Sequence, residues 1–143
     1  MVGFMSTIGR LFLAFILASV LGLERERKGG SAGLRTHILV CMGSALIMLT
    51  SLYIYDIYQD KTTIDPGRIA AGVVTGIGFL GAGSIIRSSE GIRGLTTAAS
   101  IWVSAAIGLA VGCGYIMGAF VVTLFSYLSL SFLKKFEQKL ENK

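Results

Sequence analysis

Five apolar stretches, Met5–Leu23, Ile38–Tyr55, Ile69–Ile86, Leu95–Gly112 and Tyr115–Leu133, take up most of the 143-residue chain. Each is close to the roughly 20 residues that carry an α-helix across a bilayer. In lipid the backbone N–H and C=O groups must be paired within the segment, so these stretches read as helices. The alternating strands of a membrane barrel are absent from the pattern. The expected fold is all-α: a polytopic membrane bundle of five transmembrane helices over residues 1–133, with a short basic tail over 134–143. Composition agrees, with 53% hydrophobic and 15% charged residues, against roughly 25% charged in an average soluble domain. The first stretch could pass for a signal peptide. Four further spans follow it, and no small-residue cleavage site precedes Glu24–Lys28, so a retained helix is expected.

The basic residues set an orientation. Arg25, Arg27, Lys28 and Arg35 follow the first span, Arg87 and Arg93 follow the third, and Lys134, Lys135, Lys139 and Lys143 follow the fifth. Arg10, Lys61 and Arg68 fall on the opposite side. Positive charge favours the cytoplasmic face. An odd number of spans then puts the N-terminus outside and the C-terminus in the cytoplasm of a bacterial inner membrane. The formal charge of +5 therefore points to topology and anionic lipid, not to nucleic acid. Cys41 and Cys113 are expected at different depths, roughly 20 Å apart by helical rise, too far for a disulfide.

Small residues recur at four-residue spacing, the pattern that lets membrane helices approach closely. Helix 4 carries Thr96, Ser100, Ser104, Gly108 and Gly112 in one row, and helix 3 carries Gly72, Gly76, Gly78, Gly81 and Gly83. The row on helix 4 can be a packing seam, with hydroxyls bonded to preceding carbonyls, or the lining of a polar pathway. Helix 3 has little bulk over two turns. Either neighbours pack hard against it, or it is locally unwound beside a cavity. Gly76–Gly81 matches the spacing of a dinucleotide fingerprint, but no strand precedes it and Ile101 stands where the acidic residue is needed, so nucleotide binding is rejected.

Charges gather at the predicted cytoplasmic boundary: Glu24, Arg25 and Glu26, then Arg35 and His37, then Arg87 and Arg93. Such groups can anchor the helices in the interface or build a polar vestibule or docking site. Asp65 followed by Pro66 is a normal helix start. With Asp56 and Asp60 it could at most hold a divalent cation weakly. No nucleophile elbow, phosphate loop or zinc motif is present. The expectation is no enzyme, no cofactor and no resident metal.

Three blocks carry a resemblance. They are Gly22-Leu-Glu-Arg-Glu to Ala32-Gly-Leu-Arg-Thr-His37, Asp65-Pro-Gly-Arg-Ile-Ala-Ala71 leading to Gly76–Gly83, and Arg93-Gly-Leu-Thr-Thr-Ala-Ala-Ser-Ile-Trp102. Together they resemble the MgtC/SapB family of bacterial inner-membrane proteins over roughly Leu11 to Gly114. The resemblance implies a role in magnesium-limited growth and, in pathogens, growth inside host cells. It also implies regulation of other membrane machines, such as ATPases or transporters, and a possible homodimer. By motif it singles out Glu24, Arg25, Arg35, Thr36, Asp65, Arg68, Arg93, Thr96 and Thr97. Thr96, Val103 and Gly72 stand where virulence-type members often have Asn, Cys and Gln, so the short SapB-like form without a soluble C-terminal domain is the nearer comparison. The alternative is a small Mg²⁺ or monovalent-cation transporter or channel. In that case helix 3 and the helix 4 hydroxyls would line the path, although no carboxylate is expected mid-membrane.

Overall fold

A computed structural model describes residues 3–60, 63–89 and 91–133; the basic tail over 134–143 and Lys61 lie outside the described residues. The architecture is a bundle of five helices: α1 (Phe4–Arg27), α2 (Leu34–Tyr58), α3 (Pro66–Gly83), α4 (Leu95–Cys113) and α5 (Ile116–Leu128). The last helix continues into a π-helical turn at Ser129–Leu133. Between α3 and α4 lies a small antiparallel hairpin, β1 (Ile86–Ser88) and β2 (Gly91–Arg93), with Ile86 opposite Arg93 and Ser88 opposite Gly91.

The helix ends depart from those read in the sequence. The first helix runs past Leu23, which puts Glu24, Arg25 and Glu26 in its last turn. The second starts at Leu34, so Arg35, Thr36 and His37 belong to its first turn. Hydropathy marks where apolar residues stop, but a helix ends where its backbone hydrogen bonds do, and polar termini extend beyond an apolar core. The third helix ends at Gly83, and Ile86 is the first residue of β1, not part of a helix.

By length and apolarity, α1, α2 and α4 qualify as membrane spans; α5 is a shorter apolar helix. The fourth helix is the central one, with half of its apolar window buried against 22% for α1. Its position follows from its missing side chains. A Cβ on Gly112 would lie 2.6 Å from the Ala45 carbonyl oxygen, and one on Gly108 would strike the Cys41 carbonyl. The α2 and α4 backbones thus touch. On the other side of α2, a Cβ on Gly22 of α1 would sit 2.7 Å from Leu34 Cα. Around these contacts Ala14, Leu17, Ala18, Leu21, Cys41, Ala45, Ile107, Val111 and Ala119 form the main core. Val73 and Ile77 of α3 join Ile101 and Ala105 in a smaller one.

Helix 3 behaves otherwise than expected. It is a regular helix through its glycine run, neither unwound nor tightly embraced. Gly72, Gly76, Gly78 and Gly83 have open space where a Cβ would be, and only Gly81 meets a neighbour, Ala98, at 3.7 Å. Of the residues expected to pack, Ser100, Ser104, Gly108 and Gly112 are buried in the seam, whereas four of the helix 3 glycines leave open space where a side chain would be. The two sets look alike in sequence because spacing reports which residues share a face, not what that face meets.

Both cysteines are free, Cys41 buried and Cys113 exposed. The Gly76–Gly81 run lies inside α3, which removes the strand-to-helix turn that a nucleotide site would need.

Gly108→Ala should destabilise the bundle by about 1–3 kcal/mol through overpacking. Gly76→Ala should be neutral or slightly stabilising, since alanine favours helix. Thermal unfolding of the two purified variants in detergent checks this; equal midpoints would contradict the seam.

Candidate functional site

One end of the bundle gathers the α1–α2 loop, the β1–β2 hairpin, the start of α4 and the end of α5. They surround a cavity of about 780 Å³ lined by Arg25, Lys28, Gly29, Gly30, Ser31, Ser84, Ile86, Ile92, Arg93, Gly94, Leu95, Thr96, Thr97, Ser129 and Leu130. Gly94 makes the geometry possible. It has φ of +92° at the N-cap of α4, and a Cβ there would collide with the Ser84 carbonyl. The hairpin can therefore close tightly against the helix start.

Polar groups around the cavity hold one another. Arg25 donates from Nη2 to Thr97 Oγ1 at 2.7 Å, and Ser31 Oγ donates to the same oxygen at 3.3 Å. Arg25 Nε is buried without a protein partner. Glu24, only 7% exposed, pairs with Lys28 one turn later at 2.7 Å. Lys28 also donates to the carbonyls of Leu130 and Ser131, the latter at 3.0 Å. These belong to the π-helical turn, so one ammonium ties the end of α1 to the end of α5. Glu26 accepts from the Leu34 amide at 2.8 Å and serves the start of α2.

A second polar line runs into the bundle from Thr97. Ser100 Oγ donates to the Thr97 carbonyl at 2.9 Å, and Ser104 Oγ donates to the Ser100 carbonyl at 3.0 Å. His37 is fully buried in the seam. Its Nδ1 lies 2.8 Å from the Gly33 carbonyl and its Nε2 lies 3.1 Å from Ser100 Oγ. Ser100 and Ser104 thus spend their hydroxyls on bonds within the seam, while Thr96, the first of the row, lines the cavity.

The structure divides the residues singled out by motif. Arg25, Arg93, Thr96 and Thr97 line one cavity, and Glu24 reaches it through Lys28. Arg35 is exposed in the first turn of α2. Thr36 lines an adjoining cavity of about 490 Å³ between α2, α3 and α4, to which Ser31, Ser84 and Thr97 also contribute. Asp65 and Arg68 lie at the far end of the bundle. There Ser51, late in α2, donates to the Pro66 carbonyl at 2.7 Å, and Asp65 accepts from the Gly67 amide at 2.8 Å as a helix cap. At that same end Arg10 donates to the Gly112 carbonyl at 2.7 Å, beside Gly114, the left-handed end of α4. Lys28, Gly30, Ser31 and Ser84 line the cavity without having been singled out in the sequence. Lys28 carried a legible signal, its i,i+4 spacing from Glu24.

Two of the three blocks, the one from Gly22 to His37 and the one from Arg93 to Trp102, converge on this cavity, which makes a family comparison informative. The model of the MgtC family matches residues 11–139. The chain belongs to the MgtC family. It is 52% identical over 120 residues to the Escherichia coli (strain K12) protein named "Putative magnesium transporter YhiD", covering 80% of this chain and 56% of that protein. It is 40% identical over 131 residues to the protein MgtC of Salmonella typhimurium (strain LT2), covering 91% of this chain and 53% of MgtC. With the protein SrpB of Synechococcus elongatus it shares 38% over 137 residues, covering 90% of this chain and 75% of SrpB. The chain spans about half the length of YhiD and MgtC. No solved structure matches it. MgtC is a family of membrane proteins, and the apolar helices of this member fit a membrane location.

Thr97→Val removes the acceptor shared by Arg25 and Ser31. It should cost about 1–3 kcal/mol by leaving a buried donor unpaired, while Thr97→Ser should restore most of it; unfolding midpoints of the pair decide. Lys28→Met should free the π-turn carbonyls and strand Glu24. Faster amide hydrogen exchange at Ser129–Leu133 than in the parent would report that loss, and unchanged exchange would refute the tie between α1 and α5.

Proposed function

We propose that this MgtC-family protein is a non-enzymatic regulator of membrane ion homeostasis, working in adaptation to low magnesium through other membrane proteins. The carrying observation is the separation of its polar groups. Those deep in the bundle, His37, Ser100 and Ser104, are consumed by internal hydrogen bonds. The charged ones collect in a cavity at one end. Among the described residues no group of three or more His, Cys, Asp or Glu side chains gathers that could hold a metal ion. A coupled cation would want such oxygen ligands along its route.

The open face of α3 supplies the contact surface in this reading. Gly72 and Gly76 line a shallow apolar groove of about 430 Å³ against α2, and Phe79 stands 82% exposed beside them. Small residues bounding a groove suit a partner's membrane helix, or a second copy of this chain. The basic residues Arg25, Arg27, Lys28, Arg87 and Arg93 support a cytoplasmic position for the charged end of the bundle in an inner membrane, with the N-terminus outside. A transporter is the second reading, favoured by the name of the YhiD relative.

The test combines growth and flux. In a strain lacking the protein, the parent chain should restore growth at low magnesium. Gly76→Leu should fold normally yet fail to restore it. Liposomes carrying the purified chain should pass no more Mg²⁺ than empty ones. Mg²⁺ flux abolished by Arg25→Ala would instead establish transport.

A further inference from the structure

His37 is the chain's single histidine and is fully buried. Its two ring nitrogens have unlike partners. Nδ1 lies 2.8 Å from the Gly33 carbonyl. A carbonyl only accepts, so Nδ1 carries a hydrogen in any state of the ring that keeps this bond. In the neutral ring Nε2 is then a bare acceptor, and the Ser100 hydroxyl, 3.1 Å away, must donate to it. The partners thus select the Nδ1–H tautomer.

The Ser100 hydroxyl has a second acceptor within reach. The Thr97 carbonyl lies 2.9 Å from the same Oγ, and one hydroxyl hydrogen serves one acceptor well at a time. If the ring takes up a proton, Nε2–H becomes a donor to Ser100 Oγ, and the hydroxyl turns its own hydrogen to the Thr97 carbonyl. Were Nε2 bonded to a group that could only donate, protonation would set two hydrogens against each other. Rotation of one hydroxyl removes that conflict, so the ring keeps both hydrogen bonds in either charge state. Ser100 also lines a cavity of about 320 Å³ between α1, α4 and α5. The partner of Nε2 therefore borders open space although the ring does not.

The charges around the ring decide what a proton does there. On α1, the Arg25 guanidinium bears on the ring and donates to Thr97 Oγ1. Glu24 is paired with Lys28, and Glu26 accepts from the Leu34 amide. On α2, Arg35 is exposed and Cys41, one turn further in, is buried. From α4 the ring meets the Ser100 hydroxyl, with Thr97 beside it. Neither ring nitrogen bonds a carboxylate. A positive ring would therefore oppose Arg25, and like charges in a poorly solvated place repel strongly. Arg25 also lines the larger cavity, which leaves it room to withdraw. We infer that His37 is a proton-operated switch at the head of the α2–α4 seam: one proton taken up at Nε2 turns the Ser100 hydroxyl from the ring to the Thr97 carbonyl and drives the Arg25 guanidinium off Thr97 toward the cavity. The ring gains one proton and one positive charge, and the hydroxyl keeps its own hydrogen. Coupling of this kind is reciprocal: what the proton does to Arg25, Arg25 does to the proton.

The full chain, labelled with ¹⁵N at histidine and held in phosphatidylcholine nanodiscs, is followed by NMR from about pH 8 to about pH 4.5, either side of the ordinary imidazole range. With one histidine the ring signals belong to His37. At the alkaline end the ring should be the Nδ1–H tautomer. Acidification should then protonate Nε2 in one reversible step, with the bundle still folded. Arg25→Gln should raise the midpoint of that step by roughly one pH unit, because a like charge is removed. Arg27→Gln, at the same end but outside the cavity lining, should move it much less. Ser100→Ala should lower the midpoint, since the new Nε2–H would have no acceptor. If Arg25→Gln does not fold, the parent and Ser100→Ala carry the test. An Nε2–H tautomer at the alkaline end overturns the proposal. So does unfolding before the ring titrates, a ring still neutral at the acid end, an unmoved midpoint in Ser100→Ala, or equal shifts in Arg25→Gln and Arg27→Gln.

Discussion

The contact between the backbones of α2 and α4 is the constraint on which the rest of this bundle depends. Helices in lipid gain little from the hydrophobic effect on meeting, because acyl chains are as apolar as leucine; they associate through close packing and polar contacts. Gly108 and Gly112 permit that packing by bringing α4 against the Cys41 and Ala45 carbonyls. Ser100 and Ser104 continue the same row toward the charged end, and His37 closes it. With α4 fixed at the centre, α1 and α3 lie on either flank of α2, and α5 folds back against α1 and α4.

The cavity arises where this seam ends. Beyond Thr97 the two backbones part, because α4 starts at Gly94 while the chain before it turns through the hairpin. The gap must be filled by polar groups, since helix ends and loop backbones there have unpaired donors and acceptors. Lys28 serves the end of α5, Glu26 the start of α2, and Thr97 the guanidinium of Arg25. This is a network in which most members are satisfied by one another. The exception is Arg25 Nε, which is buried without a protein partner. Packing at the centre and the polar cavity at the end thus have one origin.

Membership of the MgtC family and the polar cavity support each other. Two of the sequence blocks that carry the resemblance supply walls of the cavity: the last turn of α1 with the loop after it, and Arg93 with the first turn of α4. The block at Asp65–Ala71 does not. It builds the opposite end, where Asp65 caps α3 and Arg10 closes the α4–α5 turn. One motif set therefore serves two ends of the molecule, with packing roles at one and exposed chemistry at the other.

The sequence by itself determined the helical class, the number of helices, the family and the capping role of Asp65. Each follows from local facts: the length of an apolar run, the spacing of small residues, the preference of Asp and Pro for a helix start. It also placed the main charged residues at shared helix ends. It did not reveal the β1–β2 hairpin, whose three-residue strands are too short for any periodicity to register. Nor did it separate the glycines of α4, where a Cβ would strike backbone, from four of those of α3, where a Cβ would have open space. Tertiary structure alone decided that Arg25 reaches Thr97, 72 residues away, and that Lys28 reaches the π-turn 102 residues on. Spacing fixes the direction of a side chain from its own helix. Which atoms it meets depends on where four other helices come to rest, and that is set by the close approach at Gly108 and Gly112.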